Sequence, residues 1–162
     1  MVGYQPTLPM KALSALIAEQ PFLEGLPSEY LPYFNQCASK VHFRAHQRIF
    51  EIGHDATRFY LILSGEVAVE TAYIAGKGVD TVQTLHHGEA LGWSWLYPPY
   101  AWQFNARAAT DVEAIAFDAE RLRQLASEHK DFGYLLAIRM GYVLAERLQN
   151  TRARLLNLCE VA

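Results

Sequence analysis

HFRAHQRIFEIGHDATRFYLILSGEVAVE, residues 42–70, decides the architecture of this chain. Its apolar residues come in short runs broken by turn signals, a grammar of strands and not of helices. FYLIL (59–63) and EVAVETAYI (66–74) flank Ser64-Gly65, which reads as a compact hairpin turn. Beyond them, Gly76-Lys77-Gly78 and His87-Gly88 supply further turns, and VDTVQTL (79–85) alternates as a half-buried strand should. ARAAT (106–110) and VEAIAFD (112–118) close the series. Roughly eight short strands in about 75 residues would expose too many edges as separate sheets, so a closed jelly-roll barrel is expected.

Helical patterns flank the strands on both sides. Among the first forty residues, Thr7 and Ser28 are candidate N-caps, and Leu13, Leu16 and Ile17 recur at helical spacing before Pro21 stops the run. On the far side Asp118 is placed to cap a helix over AERLRQLA (119–126). A longer helix is expected from about Asp131 to Leu158. Tyr134, Ala137, Gly141, Leu144, Leu148, Thr151, Leu155 and Leu158 step along it by three and four, a seam of coiled-coil type with small residues near its start. Phe132, Leu136, Met140 and Val143 form a second apolar strip beside the first. One strip can lie on the barrel and leave the other for a partner helix, with Gly141 where two backbones approach closely; alternatively both bury within one chain. The expected fold is α+β: a double-stranded β-helix (jelly-roll) barrel over 41–117, N-terminal helices over 1–40 and C-terminal helices over 118–162, all in one domain.

Composition narrows the function. The chain has 162 residues, 51% of them hydrophobic and 19% charged, which suits a globular fold with a core of its own. A net charge of −3 argues against a nucleic-acid surface. Cys37 and Cys159 make no disulfide framework and fit a reducing compartment. No run reaches the length of a membrane span and no signal-peptide pattern opens the chain, so a cytoplasmic protein without membrane contact is expected.

The least ordinary stretch is GWSWLYPPYAWQFNARAAT, residues 92–110. All three tryptophans of the chain lie in it, with Tyr97, Tyr100 and Phe104, around Pro98-Pro99. Trp93, Trp95, Tyr97, Tyr100, Trp102 and Phe104 alternate over much of its length, so some rings face inward and others outward.

The order of helices, β-roll, short helix and long helix resembles the cyclic-nucleotide-binding domain of the catabolite activator protein family. Residues 42–70 resemble its opening strands, with Ile52-Gly53 before an aromatic strand that ends in Ser-Gly. LHHGEALGW (85–93) resembles the strand that leads into the family's phosphate-binding cassette, and ARAATDVEAIAFDAERLRQL (106–125) its last two strands and following helix. The resemblance spans about residues 10 to 158 and implies a regulatory, ligand-sensing domain that dimerises through Tyr134, Ala137, Gly141, Leu144, Leu148, Thr151 and Leu155.

The cassette departs from the family's pattern. There a short helix begins with Gly-Glu, whose glutamate accepts a hydrogen bond from the ribose, and an arginine with a neighbouring small hydroxyl residue binds the cyclic phosphate. Helix N-termini and forked guanidinium groups both suit an anion. Aligned through Gly88 and Arg107, this chain puts Gly92 on the glycine, Trp93 on the glutamate, Trp102 on the arginine and Gln103 on the hydroxyl residue. Arg107 falls on the family's second arginine, a structural position; a shift of five would make it the phosphate contact. Losing the phosphate contact costs about 2–3 kcal/mol and the ribose contact roughly 1 more, on the order of a thousandfold in affinity. Ordinary cAMP or cGMP binding is therefore not expected. The altered cassette (Gly92, Trp93, Ser94, Trp102, Gln103, Arg107) leaves three possibilities: a plugged barrel, a pocket for a small flat or apolar ligand, or a patch for a partner protein.

Other chemistry has little support. The chain has six histidines, but His86 and His87 are adjacent and face opposite ways on a strand, while His42 and His46 lack an acidic partner at cupin spacing, so no metal is expected. Ser64 and Ser94 sit in no nucleophile elbow, Cys37 reads as packed, and Glu51 and Asp55 as a solvated loop, so neither enzymatic activity nor a cofactor is expected. Arg121, Arg123, Arg147, Arg152 and Arg154 read as spread over exposed helical faces. The helix-turn-helix that follows the long helix in the family's transcription factors is not found before Ala162, so DNA binding by this chain alone is not expected, and LNLCEVA (156–162) suggests a complete single-domain protein. The alternative is the sensor part of an activator-family transcription regulator.

Overall fold

A computed structural model describes residues 10–73 and 75–160. Among them the chain forms α1 (Met10–Ala18), α2 (Leu31–Asn35), eight strands, α3 (Ala119–Glu128) and α4 (Lys130–Glu160). The strands are β1 (Ala38–Phe43), β2 (Arg48–Phe50), β3 (Arg58–Ser64), β4 (Val67–Glu70), β5 (Thr81–Leu85), β6 (Ala90–Leu91), β7 (Asn105–Ala108) and β8 (Val112–Asp118). They make two four-stranded sheets, ordered β1-β8-β3-β6 and β2-β7-β4-β5, with every pairing antiparallel. This is the expected jelly roll, beginning at Ala38 and not at Val41.

The first sheet is buried on both faces, which explains the near-continuous apolar runs of β3 and β8. Tyr60, Ile62, Ala114 and Ala116 face the interior of the roll, where they meet Val67, Leu85, Leu91, Ala106 and Ala108. Their neighbours Phe59, Leu61, Ile115 and Phe117 belong to a second core, shared with Ile17, Phe34, Leu122, Phe132, Leu136 and Met140 of the helices. Phe117 lies 5.7 Å from Phe34 and 5.6 Å from Phe59, so the helical layer is keyed into the outer face of the sheet by aromatic contacts.

Ser64-Gly65 does not close a hairpin. The chain there crosses from one sheet to the other, because β3 pairs with β6 and β8 while β4 pairs with β5 and β7. The corner has left-handed backbone at Gly65, φ +85, and a Cβ there would fall 2.1 Å from the carbonyl oxygen of Asp111. The hairpin lies one strand later, between β4 and β5. β4 is shorter than the apolar run suggested, ending at Glu70.

The helix ends vary in fidelity. Asp118 caps α3 as expected, its carboxylate accepting from the Arg121 N–H at 2.9 Å. Ser28 is no cap; it lies inside a 3-10 turn, Ser28–Tyr30, that Pro27 precedes. Thr7 lies outside the described residues.

Candidate functional site

β6, paired with β3 through Tyr60–Leu91 and Leu61–Ala90, delivers the chain to Gly92. Gly92 has φ +91, and a Cβ there would lie 2.7 Å from Cζ3 and 2.9 Å from Cη2 of Trp102. A face of the Trp102 indole stacks on Phe50, with ring centroids 3.7 Å apart and planes within 7° of parallel. Its backbone is fixed as well: Trp102 N–H donates to the His54 carbonyl, and its own carbonyl accepts from Gly53 N–H, both at 2.9 Å. Trp102 is thus clamped between a strand residue and the cassette glycine and is buried.

From Gly92 to Tyr100 the backbone forms turns and no helix. Tyr100 N–H donates to the Tyr97 carbonyl at 2.9 Å, and Leu96 N–H donates to the Trp93 carbonyl at 3.3 Å in one isolated turn. Pro98 and Pro99 have no N–H to extend it. The segment therefore offers no α-helix N-terminus to an anion.

Of the residues expected at the site, Gly92, Trp93, Ser94, Trp102 and Gln103 all line one cavity. Its volume is only ≈ 80 Å³. Pockets that bury a ligand usually exceed about 300 Å³. Arg107 does not join them. It lies on β7 between Ala106 and Ala108, which face the interior of the roll, so its side chain takes the opposite face. There its Nε donates to Glu70 Oε1 at 2.9 Å, and Nη2 donates to the same oxygen. Asn105, next along β7, is buried and accepts from Ile52 N–H at 2.8 Å while donating to the Thr71 carbonyl.

The remaining aromatics divide between core and surface. Trp95 is fully buried and stacks on Phe59 at 5.4 Å, joining the helical core and not the pocket. Tyr100 and Phe104 are each 37% exposed, and the Arg123 guanidinium lies 4.4 Å from the Tyr100 ring centre. Trp93 is half-buried.

Sequence reasoning missed Arg147. It does not lie on an exposed face: it lines the cavity from α4, together with Thr151. Nη2 donates to the Ala90 carbonyl, and Nη1 is buried without a hydrogen-bond partner. Burial pulls its pKa below the ordinary arginine value, while Glu89 and Glu146 act in the opposite direction. Arg154, one heptad on, donates to the Thr81 carbonyl and pairs with Asp80 at 2.9 Å. Both arginines continue the spacing of Phe132, Leu136, Met140 and Val143, and that continuation was the available signal. Arg123 likewise turns inward, donating to the Trp95 carbonyl at 2.6 Å.

The other strip of α4 is bare. Tyr134, Leu148, Leu155 and Leu158 are 67%, 70%, 58% and 61% exposed. Ala137, Gly141 and Thr151 are exposed with them, and Leu144 partly so. Among the described residues no three His, Cys, Asp or Glu side chains cluster as metal ligands, and no helix is long and apolar enough to cross a membrane.

A jelly roll whose β6–β7 connection forms a cassette at its mouth, with a long C-terminal helix packed alongside, defines a class of regulatory ligand-binding domain. Residues 40–129 match the family described as Cyclic nucleotide-binding domain, and the chain belongs to that family. Solved structures agree on the fold. A candidate cyclic nucleotide-binding protein from Geobacter metallireducens GS-15 is 23% identical with a TM-score of 0.74, covering 87% of this chain and 98% of that one. A cyclic nucleotide-binding domain from Methylobacillus flagellatus KT is 18% identical, TM-score 0.74, over 91% of this chain and 83% of that one. The catabolite activator protein of Thermus thermophilus is 24% identical, TM-score 0.67, over 86% of this chain and 63% of that one. A comparison with curated protein sequences finds no match.

Proposed function

We propose that this protein is a regulatory sensor or adaptor of the cyclic-nucleotide-binding-domain family that does not respond to cAMP or cGMP. The observation that carries this reading is the Trp102 indole, wedged between Phe50 and Gly92 at the position where the family holds its phosphate-binding arginine. The ribose glutamate is likewise an indole, Trp93, and Arg107 is committed to Glu70. A ligand of other chemistry, or a partner protein, meets the cassette and biases the packing of α4. The exposed strip from Tyr134 to Leu155 pairs two copies of the chain into a homodimer in the cytoplasm.

The test restores what is missing. Trp102→Arg with Trp93→Glu, checked for folding by circular dichroism, should acquire cyclic-nucleotide affinity in calorimetry where the wild type gives no binding heat. Binding of cAMP or cGMP by the wild type itself would overturn the reading. A second reading, the sensor part of a longer transcription regulator, is favoured by the likeness to the Thermus catabolite activator protein, of which this chain covers 63%. The mass of the protein isolated from its source, compared with the chain's 18.3 kDa, decides between them.

A further inference from the structure

We propose that Arg147 is the anion anchor of the remodelled pocket and that the pocket takes the carboxylate of a flat, apolar monoanion. This rests on the reading of the cassette as a ligand site that has lost its nucleotide chemistry.

The guanidinium is half used. Nη2 donates to the Ala90 carbonyl, two residues before Gly92, while Nη1 is buried with no acceptor. Among the described residues no carboxylate pairs with Arg147 within ion-pair distance. Arg147 also borders a second, open groove beside Pro21 and Phe22, and Glu89 and Glu146 line that groove and not the cavity. The cavity itself has no acidic lining residue, and its polar members, Ser94, Gln103 and Asn150 among them, can complete the coordination of a second oxygen. A buried guanidinium arm without an acceptor is a strong donor awaiting an anion.

Size selects the anion. A volume of ≈ 80 Å³ suits a carboxylate with a water molecule. A benzene ring occupies a cavity of about 150 Å³, so the ring of such a ligand stays at the mouth. There Trp93 and Phe104, both cavity-lining and both partly exposed, offer faces for a flat apolar body. The site also reaches the dimer seam. Thr151 lines the cavity, belongs to the exposed strip of α4, and its hydroxyl donates to the Arg147 carbonyl at 2.9 Å. An anion that draws in Arg147 therefore acts on the helix that carries the seam.

Benzoate and its neutral isostere benzamide are the probes, titrated against the full chain by tryptophan fluorescence, since all three indoles lie within residues 93–102. Benzoate should give a saturable change, benzamide should bind at least about tenfold more weakly, and Arg147→Met should lose benzoate by a similar factor while Arg147→Lys keeps part of it. Equal binding of both probes, no saturable benzoate signal in the wild type, or undiminished benzoate binding by Arg147→Met overturns the anchor. Should Arg147→Met fail to fold, the contrast between the two probes on the wild type decides alone. A parallel cAMP titration separates the two readings: a cAMP signal defeats the altered-cassette reading, whereas a failure of benzoate alone defeats only the anchor.

Discussion

The Cα of Gly92 and the six-membered ring of Trp102 share space that no side chain at position 92 can enter: a Cβ would stand 2.7 Å from Cζ3. Gly92 thus faces the protein's own indole. Gly92→Ala should therefore destabilise the fold by about 2–4 kcal/mol, combining an unfavourable positive φ with overpacking against the ring. Thermal unfolding measures the loss, and Trp102→Leu should recover part of it by removing the clash. An unchanged melting temperature for Gly92→Ala would show that the indole does not rest on the cassette.

Arg107 serves the fold. Its partner Glu70 has a side chain only 5% exposed, whereas Arg107 is 32% exposed. Removing the guanidinium leaves a buried carboxylate unpaired. Arg107→Met should cost about 2–3 kcal/mol, less than a fully buried pair because Arg107 is partly in water. Adding Glu70→Gln should restore most of the loss in chemical denaturation. A stable Arg107→Met protein would reopen the alignment that makes this residue a ligand contact.

Leu148 is 70% exposed in the single chain, near the middle of the apolar strip of α4. If two copies pair there, Leu148→Glu buries a charge in the interface and should turn a dimer into a monomer in sedimentation velocity, with helix content unchanged. A wild type that sediments as a monomer contradicts the seam.

The two cysteines should differ in reactivity. Cys37 is buried, and desolvation pushes its thiol pKa up to about 11, with Asp118 adding to the shift. Cys159 is exposed. Iodoacetamide at pH 8 should alkylate one thiol per native chain and two in denaturant, counted by mass. The raised pKa also sets a pH dependence. Between about pH 9 and pH 11 the unfolded chain loses the Cys37 proton and the folded chain keeps it, so stability should fall across that window and level off above it. Cys37→Ala should flatten the part of the slope that this thiol contributes.

The fold was legible in the sequence to an unusual depth in some elements and not in others. VEAIAFD coincides with β8 because turns bound it on one side and a helix cap on the other, and Asp118 caps as its position demands. Ser64-Gly65 misled because a Gly corner between two apolar runs looks the same whether the runs pair or part; the difference lies in Asp111, forty-odd residues away, whose carbonyl closes the corner. Trp93 and Trp102 are the residues on which the reading of an altered cassette rests. Its sequence could not say that Trp95 and Trp102 would both join the core shared with the helices while only Trp102 also lines the cavity, since alternation fixes faces on a strand and this segment is a turn. Arg147 was lost to a charge-means-surface assumption. A long guanidinium stem can lie along an apolar strip with its head on a backbone carbonyl, and the strip's own spacing pointed to it.

The most direct test of the closed cassette is thermal unfolding of the wild-type chain, read through its tryptophans, with and without millimolar cAMP and cGMP. A nucleotide at a hundred times its dissociation constant would stabilise the fold by about 2.7 kcal/mol, a shift of several degrees for a domain of this length. The account predicts superimposable curves. A clear upward shift with either nucleotide would mean that the Trp102 indole yields its place and that the cassette still holds a cyclic phosphate.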